Sequence, residues 1–145
     1  MTVTASDAGS NAGSNGDGPL SRAVLGFEAT LKRLVKAAGE PGFTPAGWAP
    51  LAEFVAAGDF ERVGTWLEVM NWQQYTEFLT QWAAACLGFD TTVRRVSELP
   101  GLVYLEIEER HTRPGGVAVV NSLSVYEFNE DGKIRHLDVY LQQPR

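Results

Sequence analysis

The 145-residue chain is 44% hydrophobic and 21% charged, with twelve Lys and Arg against eighteen Asp and Glu for a formal charge of −6. These figures fit one soluble domain able to bury roughly 70% of its unfolded surface, and they exclude a fibrous or wholly disordered chain. The acidic balance counts against nucleic acid or an anionic membrane as partner, and a single cysteine excludes an internal disulfide or a thiolate zinc site.

Residues 1–20 are rich in Gly, Ser, Ala and Asn, the composition of a disordered tail, and 21–145 read as a single domain. The start lacks the basic region and apolar stretch of a signal peptide, and no apolar run approaches the ~20 residues that span a bilayer, so a cytoplasmic location is expected. From Ser21, Val24, Phe27, Leu31, Leu34 and Val35 recur at helical spacing, with Arg22, Glu28, Lys32, Arg33 and Lys36 mostly on the other face. Gly39 and Pro41 stop this helix. A second, short helix is expected over Ala49 to Ala57, then a turn at Phe60-Glu61-Arg62 capped by Asp59, then an extended piece from Val63 to Val69. Asn71 is placed to cap a third helix whose stripe is Trp72, Tyr75, Leu79, Trp82 and Cys86, the cysteine serving as a small buried hydrophobe.

Beyond Gly88 the hydrophobic period changes to two. Four strands are expected: Thr91 to Leu99, Leu102 to Thr112, Val117 to Phe128 and Lys133 to Gln142. Turns at Pro100-Gly101, Arg113 to Gly116 and Asn129 to Gly132 separate them, the Asp-Gly pair being a strong hairpin signal because it accepts positive φ. Helices first and an antiparallel meander after them make the fold class α+β.

Three stretches resemble the nuclear transport factor 2-like superfamily, which includes SnoaL-like polyketide cyclases, ketosteroid isomerases and limonene-epoxide hydrolases. FVAAGDFERVGTWLEV is similar to its second helix running into the first strand, NWQQYTEFLTQWA to its third helix, and FNEDGKIRHLDVYLQ to its closing hairpin. The resemblance implies a cone-shaped curved antiparallel sheet packed on three N-terminal helices, a cystatin-like barrel around a cavity, with the outer sheet face used for dimerisation. It also implies an acid/base aspartate in the last strand, five residues after the isoleucine of the GKI turn. Here Asp138 stands four after Ile134 and Val139 stands five after it. Without a β-bulge Val139 takes the catalytic place and Asp138 faces away, paired with His136 or Arg110; a bulge would return Asp138 to the cavity.

A second constellation is Glu109 and His111, two apart on one strand and so on one face, with Asn121 able to share their side. A carboxylate beside a histidine makes an acid/base pair by fixing its tautomer and raising its basicity. The same residues also read as the polar end of a strand. Trp66, Trp72, Tyr75, Trp82, Tyr104 and Phe89 supply bulk for a substrate pocket or, equally, for plain core. No HxxxH or HxH pair supports a metal, and no phosphate or dinucleotide motif is present, so no metal and no cofactor are expected.

Two functions fit. The first is a cofactor-independent cyclase, isomerase or epoxide hydrolase acting on a hydrophobic, oxygenated small molecule through Asp138, His111, Glu109 or His136. The second is a non-catalytic dimeric module that binds a ligand or partner. In either case Val120, Tyr126, Phe128 and Tyr140 are expected on an exposed outer face that forms a homodimer.

Overall fold

The computed structural model describes residues 16–144, so most of the expected tail lies outside the described residues. Helix α1, Pro19–Ala38, starts ahead of the expected Ser21. Proline at its first turn needs no amide partner, and the cap comes from a distant strand: Ser21 N–H and Oγ–H both donate to Glu98 Oε1 at 2.7 Å. A carboxylate there meets the positive end of the helix dipole.

The second helical segment is shorter than expected, a 3-10 turn at Pro45–Trp48 followed by α2, Ala49–Ala52. It ends because the next residues join the sheet instead. Val55 bridges Ile134 in parallel, with Ala56 N–H donating to Ile134 O and Ile134 N–H to Phe54 O, both at 2.9 Å. Parallel pairing with the same strand resumes at β1, Glu61–Val63, where a turn was expected. Residues 64–68 then turn back into β2, Val69–Met70. The expected extended piece is thus a hairpin, with Leu67 at a left-handed φ of 63° and Trp66 exposed at its tip.

Helix α3, Trp72–Ala84, opens with a full capping box: Asn71 Oδ1 accepts from Gln74 N–H while Gln74 Oε1 accepts from Asn71 N–H, each at 2.9 Å. It ends before Cys86, which is half-buried beyond the helix rather than on its buried stripe. Then come the long strands β3 (Gly88–Leu99), β4 (Leu102–Arg113), β5 (Gly116–Phe128) and β6 (Ile134–Gln142). Gly101 and Gly132, both at φ 73°, make the turns after β3 and β5.

The architecture is α+β, as expected, but the sheet is mixed and open. Its order is β2-β1-β6-β5-β4-β3, with β1 parallel to β6, so β2 and β3 remain edges and the curved sheet does not close into a barrel. Its inner face packs on α1 and α3 through Val24, Phe27, Leu31, Leu79, Val103 and Leu105. Fully buried Trp48 joins the helices, its indole N–H donating to Thr80 Oγ1 at 2.9 Å.

Two register details decide which side chains face inward. In β6, Glu127 pairs with His136 while Phe128 pairs with Ile134, leaving Arg135 as a bulged extra residue. Ile134 and Leu137 are therefore both buried, and Val139 and Leu141 follow Leu137 inward. In β5, Val120, Ser122, Ser124 and Tyr126 are buried, whereas Val117 and Val119 are exposed. This corrects the expected outer face. Val120 and Tyr126 belong to the inner side, Phe128 packs against the core, and only Tyr140 of the four is exposed on the outer face.

Candidate active site

A cavity of about 230 Å³ lies between the inner sheet face and helices α1 and α3. Its wall is largely hydrocarbon and aromatic, including Leu31, Phe78, Leu79, Phe89, Ile107 and Val139. Into this surface project Glu28 from α1, Arg62 from β1, Tyr75 from α3, Glu109, His111 and Arg113 from β4, and Ser124 and Tyr126 from β5. An apolar hollow with a few convergent polar groups is the usual form of a small-molecule site.

Glu28 is the most perturbed carboxyl. Burial raises its pKa from 4.5 to about 7, and the negative charge of Glu109 pushes the same way. A hydrogen bond from Tyr126 opposes the rise: the phenol donates to Glu28 Oε2 at 2.6 Å. Burial and the nearby Glu28 hold the Tyr126 hydroxyl protonated well above its ordinary range. Tyr75 is pushed up to about 12 by burial, with Arg62 pulling it down and Glu28 and Glu109 pushing it up. These groups share one low-dielectric space. The same space holds a dyad, in which His111 Nε2 and Glu109 Oε1 lie 2.8 Å apart. The imidazole is fixed between Trp82 and Phe89, whose ring centroids lie 5.9 and 5.2 Å from its own. Such a site holds a carboxyl that gains and loses its proton near neutrality and, on the same cavity, an imidazole bonded to a carboxylate, the components of acid/base chemistry.

Among the residues expected from sequence, the structure brings Glu109, His111, Tyr75 and Trp82 together at the cavity. Trp72 packs behind it on Phe60 and Tyr75, with centroids 5.2 and 6.0 Å away. Trp66 stands 83% exposed at the β1–β2 tip and touches no part of the cavity wall. Asn121 pairs with Glu108 rather than Glu109, and that single step puts it on the outer face, where its amide reaches Gln142. Tyr104, paired with Val125, lies on that outer face as well.

Asp138 and His136 also face outward, which corrects the expected effect of a bulge: with Ile134 inward, the extra residue Arg135 shifts the later residues by one and gives Val139, not Asp138, the inward place. His136 lies between two carboxylates, with Nε2 at 2.9 Å from Asp138 and Nδ1 at 3.1 Å from Glu61. Glu127, His136 and Asp138 bring their potential ligand atoms within 4.8 Å of one another, although both imidazole nitrogens are already engaged by carboxylates.

Sequence reasoning passed over Glu28, Arg62 and Tyr126. The signal for Glu28 was present: spacings of four, three and four place it in one row with Val24, Leu31 and Val35. A charged residue within an apolar stripe marks a buried carboxyl. Arg62 was hidden by taking β1 for a turn, and Tyr126 by reversing the faces of β5.

No family model matches the chain, and no curated protein matches it. Solved structures do. An NTF2-like protein from Anabaena variabilis superposes with a TM-score of 0.66 at 15% identity, covering 85% of this chain and 89% of that one. A protein assigned as a SnoaL-like polyketide cyclase from Shewanella putrefaciens gives 0.68 at 10% identity, covering 86% and 90%. An LEH-like epoxide hydrolase from M. tuberculosis gives 0.63 at 14% identity, covering 83% and 80%. With most of the chain superposing on this group, the chain has the nuclear transport factor 2-like fold.

Proposed function

We propose that the protein is an acid/base enzyme of the cyclase, isomerase or epoxide-hydrolase type, acting on a small, hydrophobic, oxygenated substrate with acid and base both supplied by its own side chains. The observation that carries this reading is the convergence of the Glu28 carboxyl, whose pKa burial raises to about 7, and the Glu109–His111 dyad on one largely apolar cavity. Glu28 donates a proton or hydrogen bond to a substrate oxygen that gains charge, with Tyr126 orienting the carboxyl. His111, its tautomer fixed by Glu109, removes a proton from carbon or from water. The largely apolar wall lowers the local dielectric, which strengthens each of these interactions.

Proton transfer can be tested before the natural substrate is identified. Enolisable cyclic ketones in deuterated buffer, followed by NMR, should exchange their α-hydrogens faster with the protein than without it. A panel of small epoxides tests hydrolysis in parallel. Loss of either activity in Glu28→Gln and His111→Ala supports the assignment. Activity in neither panel, or activity unchanged by both substitutions, overturns it.

A second reading is favoured by Val139, which occupies the place where the resemblance puts the acid/base aspartate. In that case the fold serves as a ligand-binding module. Saturable binding of panel compounds without conversion would support it. We also propose a homodimer through the outer sheet face, with Tyr140 retained and Val119, Leu123 and Val125 in place of Val120, Tyr126 and Phe128.

A further inference from the structure

The Arg62 side chain carries information that the acid/base reading leaves unused. Arg62 pairs with Leu137 in the parallel β1–β6 ladder and takes the same inward face. Its guanidinium carbon lies 5.2 Å from the Tyr75 ring centroid and 5.5 Å from that of Phe78. Those aromatic faces favour the cation. Among the described residues Arg62 Nε and Nη1 have no hydrogen-bond partner, and both are covered by neighbouring side chains, so a ligand in the cavity that Arg62 lines meets them once the guanidinium turns toward it.

A guanidinium does not shed its charge on burial, so open donors there are costly unless something arrives to meet them. The carboxyls of the cavity are committed elsewhere, Glu109 to His111 and Glu28 to Tyr126. We infer that Arg62 anchors a carboxylate on the ligand, whose apolar body then lies along Phe78, Leu79, Ile107 and Val139 toward Glu28 and the dyad. A single negative charge suits the site better than a phosphate dianion, because Glu28 and Glu109 line the same space and would repel the second charge. The substrate class is accordingly a small aromatic or alicyclic acid. This inference rests on the proposed reading of the cavity as the ligand site and narrows it.

The probes are trans-cinnamate and its neutral isostere cinnamamide, titrated calorimetrically into the full chain, wild type and Arg62→Gln. The expected result is that wild type binds cinnamate at least about tenfold more tightly than cinnamamide, a preference that Arg62→Gln abolishes while cinnamamide binding persists. An NMR measurement on wild type keeps the test independent of how the variant folds: the Arg62 Nε–H resonance should shift with cinnamate and stay in place with cinnamamide. Equal binding of the two probes, a preference that survives Arg62→Gln, or an unmoved resonance overturns the carboxylate anchor and leaves the cavity reading standing. Binding of neither probe overturns both.

Discussion

A glutamate in an apolar helix stripe costs stability unless it remains protonated, and Glu28 follows this rule. Its pKa of about 7 in the folded protein is raised above the 4.5 of an exposed chain, so folding takes up a proton between those values. The stabilisation is complete below pH 4.5 and is lost as pH rises through about 7. The full loss is roughly 3 kcal/mol. Urea denaturation of wild type should therefore show stability falling by that order between about pH 5 and about pH 9, with the decline absent from Glu28→Gln. In the proposed reaction the same substitution removes the acid and should lower turnover by about 10²–10⁴-fold. Tyr126→Phe separates the two roles. The hydrogen bond from Tyr126 holds the Glu28 pKa down, so its removal should move the Glu28 titration to higher pH, read directly from the carboxyl carbon by NMR.

At the scale of the element, one inserted residue decides which last-strand side chain meets the ligand. The bulge at Arg135 keeps Ile134 and Leu137 both in the core and gives Val139 the inward position opposite Ser124. Asp138 therefore sits on the solvent side of the strand, and Asp138→Asn should leave turnover unchanged and cost under ~1 kcal/mol, as partly exposed ion pairs usually do. Val139→Asp should place a carboxylate in the cavity, with a cost of about 1–3 kcal/mol for a poorly paired buried polar group. That cost should grow as pH rises, because burial disfavours the ionised form; paired denaturation curves at low and high pH check it.

Strand periodicity in the sequence made the meander legible, and the Asn71 signal made α3 legible, because both are local. Bulges and faces are not local. The alternation in β5 gives two equivalent sets, Val120 with Tyr126 and Val119 with Leu123, and only the partner strands choose between them. The same ambiguity separated Asn121 from Glu109. The short strand β1 escaped detection because its three residues, ERV, carry almost no pattern and owe their conformation to β6.

For the molecule as a whole, the inner face of the sheet is spent on helices and cavity, so association falls to the outer face. There Leu123 pairs with Tyr140 and Val125 with Asp138, while Tyr104 pairs with Val125 from the other side. Tyr140 is 57% exposed and Val119 45% exposed, which makes an apolar strip across the middle of β5 and β6. Arg95–Glu106 at 2.7 Å, Arg110–Glu108 at 2.8 Å and Arg135–Glu127 at 2.9 Å lie around it as a polar rim. An apolar centre with a charged surround is the anatomy of an association surface, and two copies related by a twofold axis would cover it in both. Sedimentation velocity of wild type at micromolar concentration should show a dimer, and Leu123→Glu combined with Tyr140→Glu should convert it to monomer. Since neither residue lines the cavity between sheet and helices, the monomeric variant should still bind cinnamate if the site is complete within one chain. A wild-type monomer under those conditions removes the dimer, and loss of binding on dissociation would mean that the sheet needs its partner to hold the cavity open.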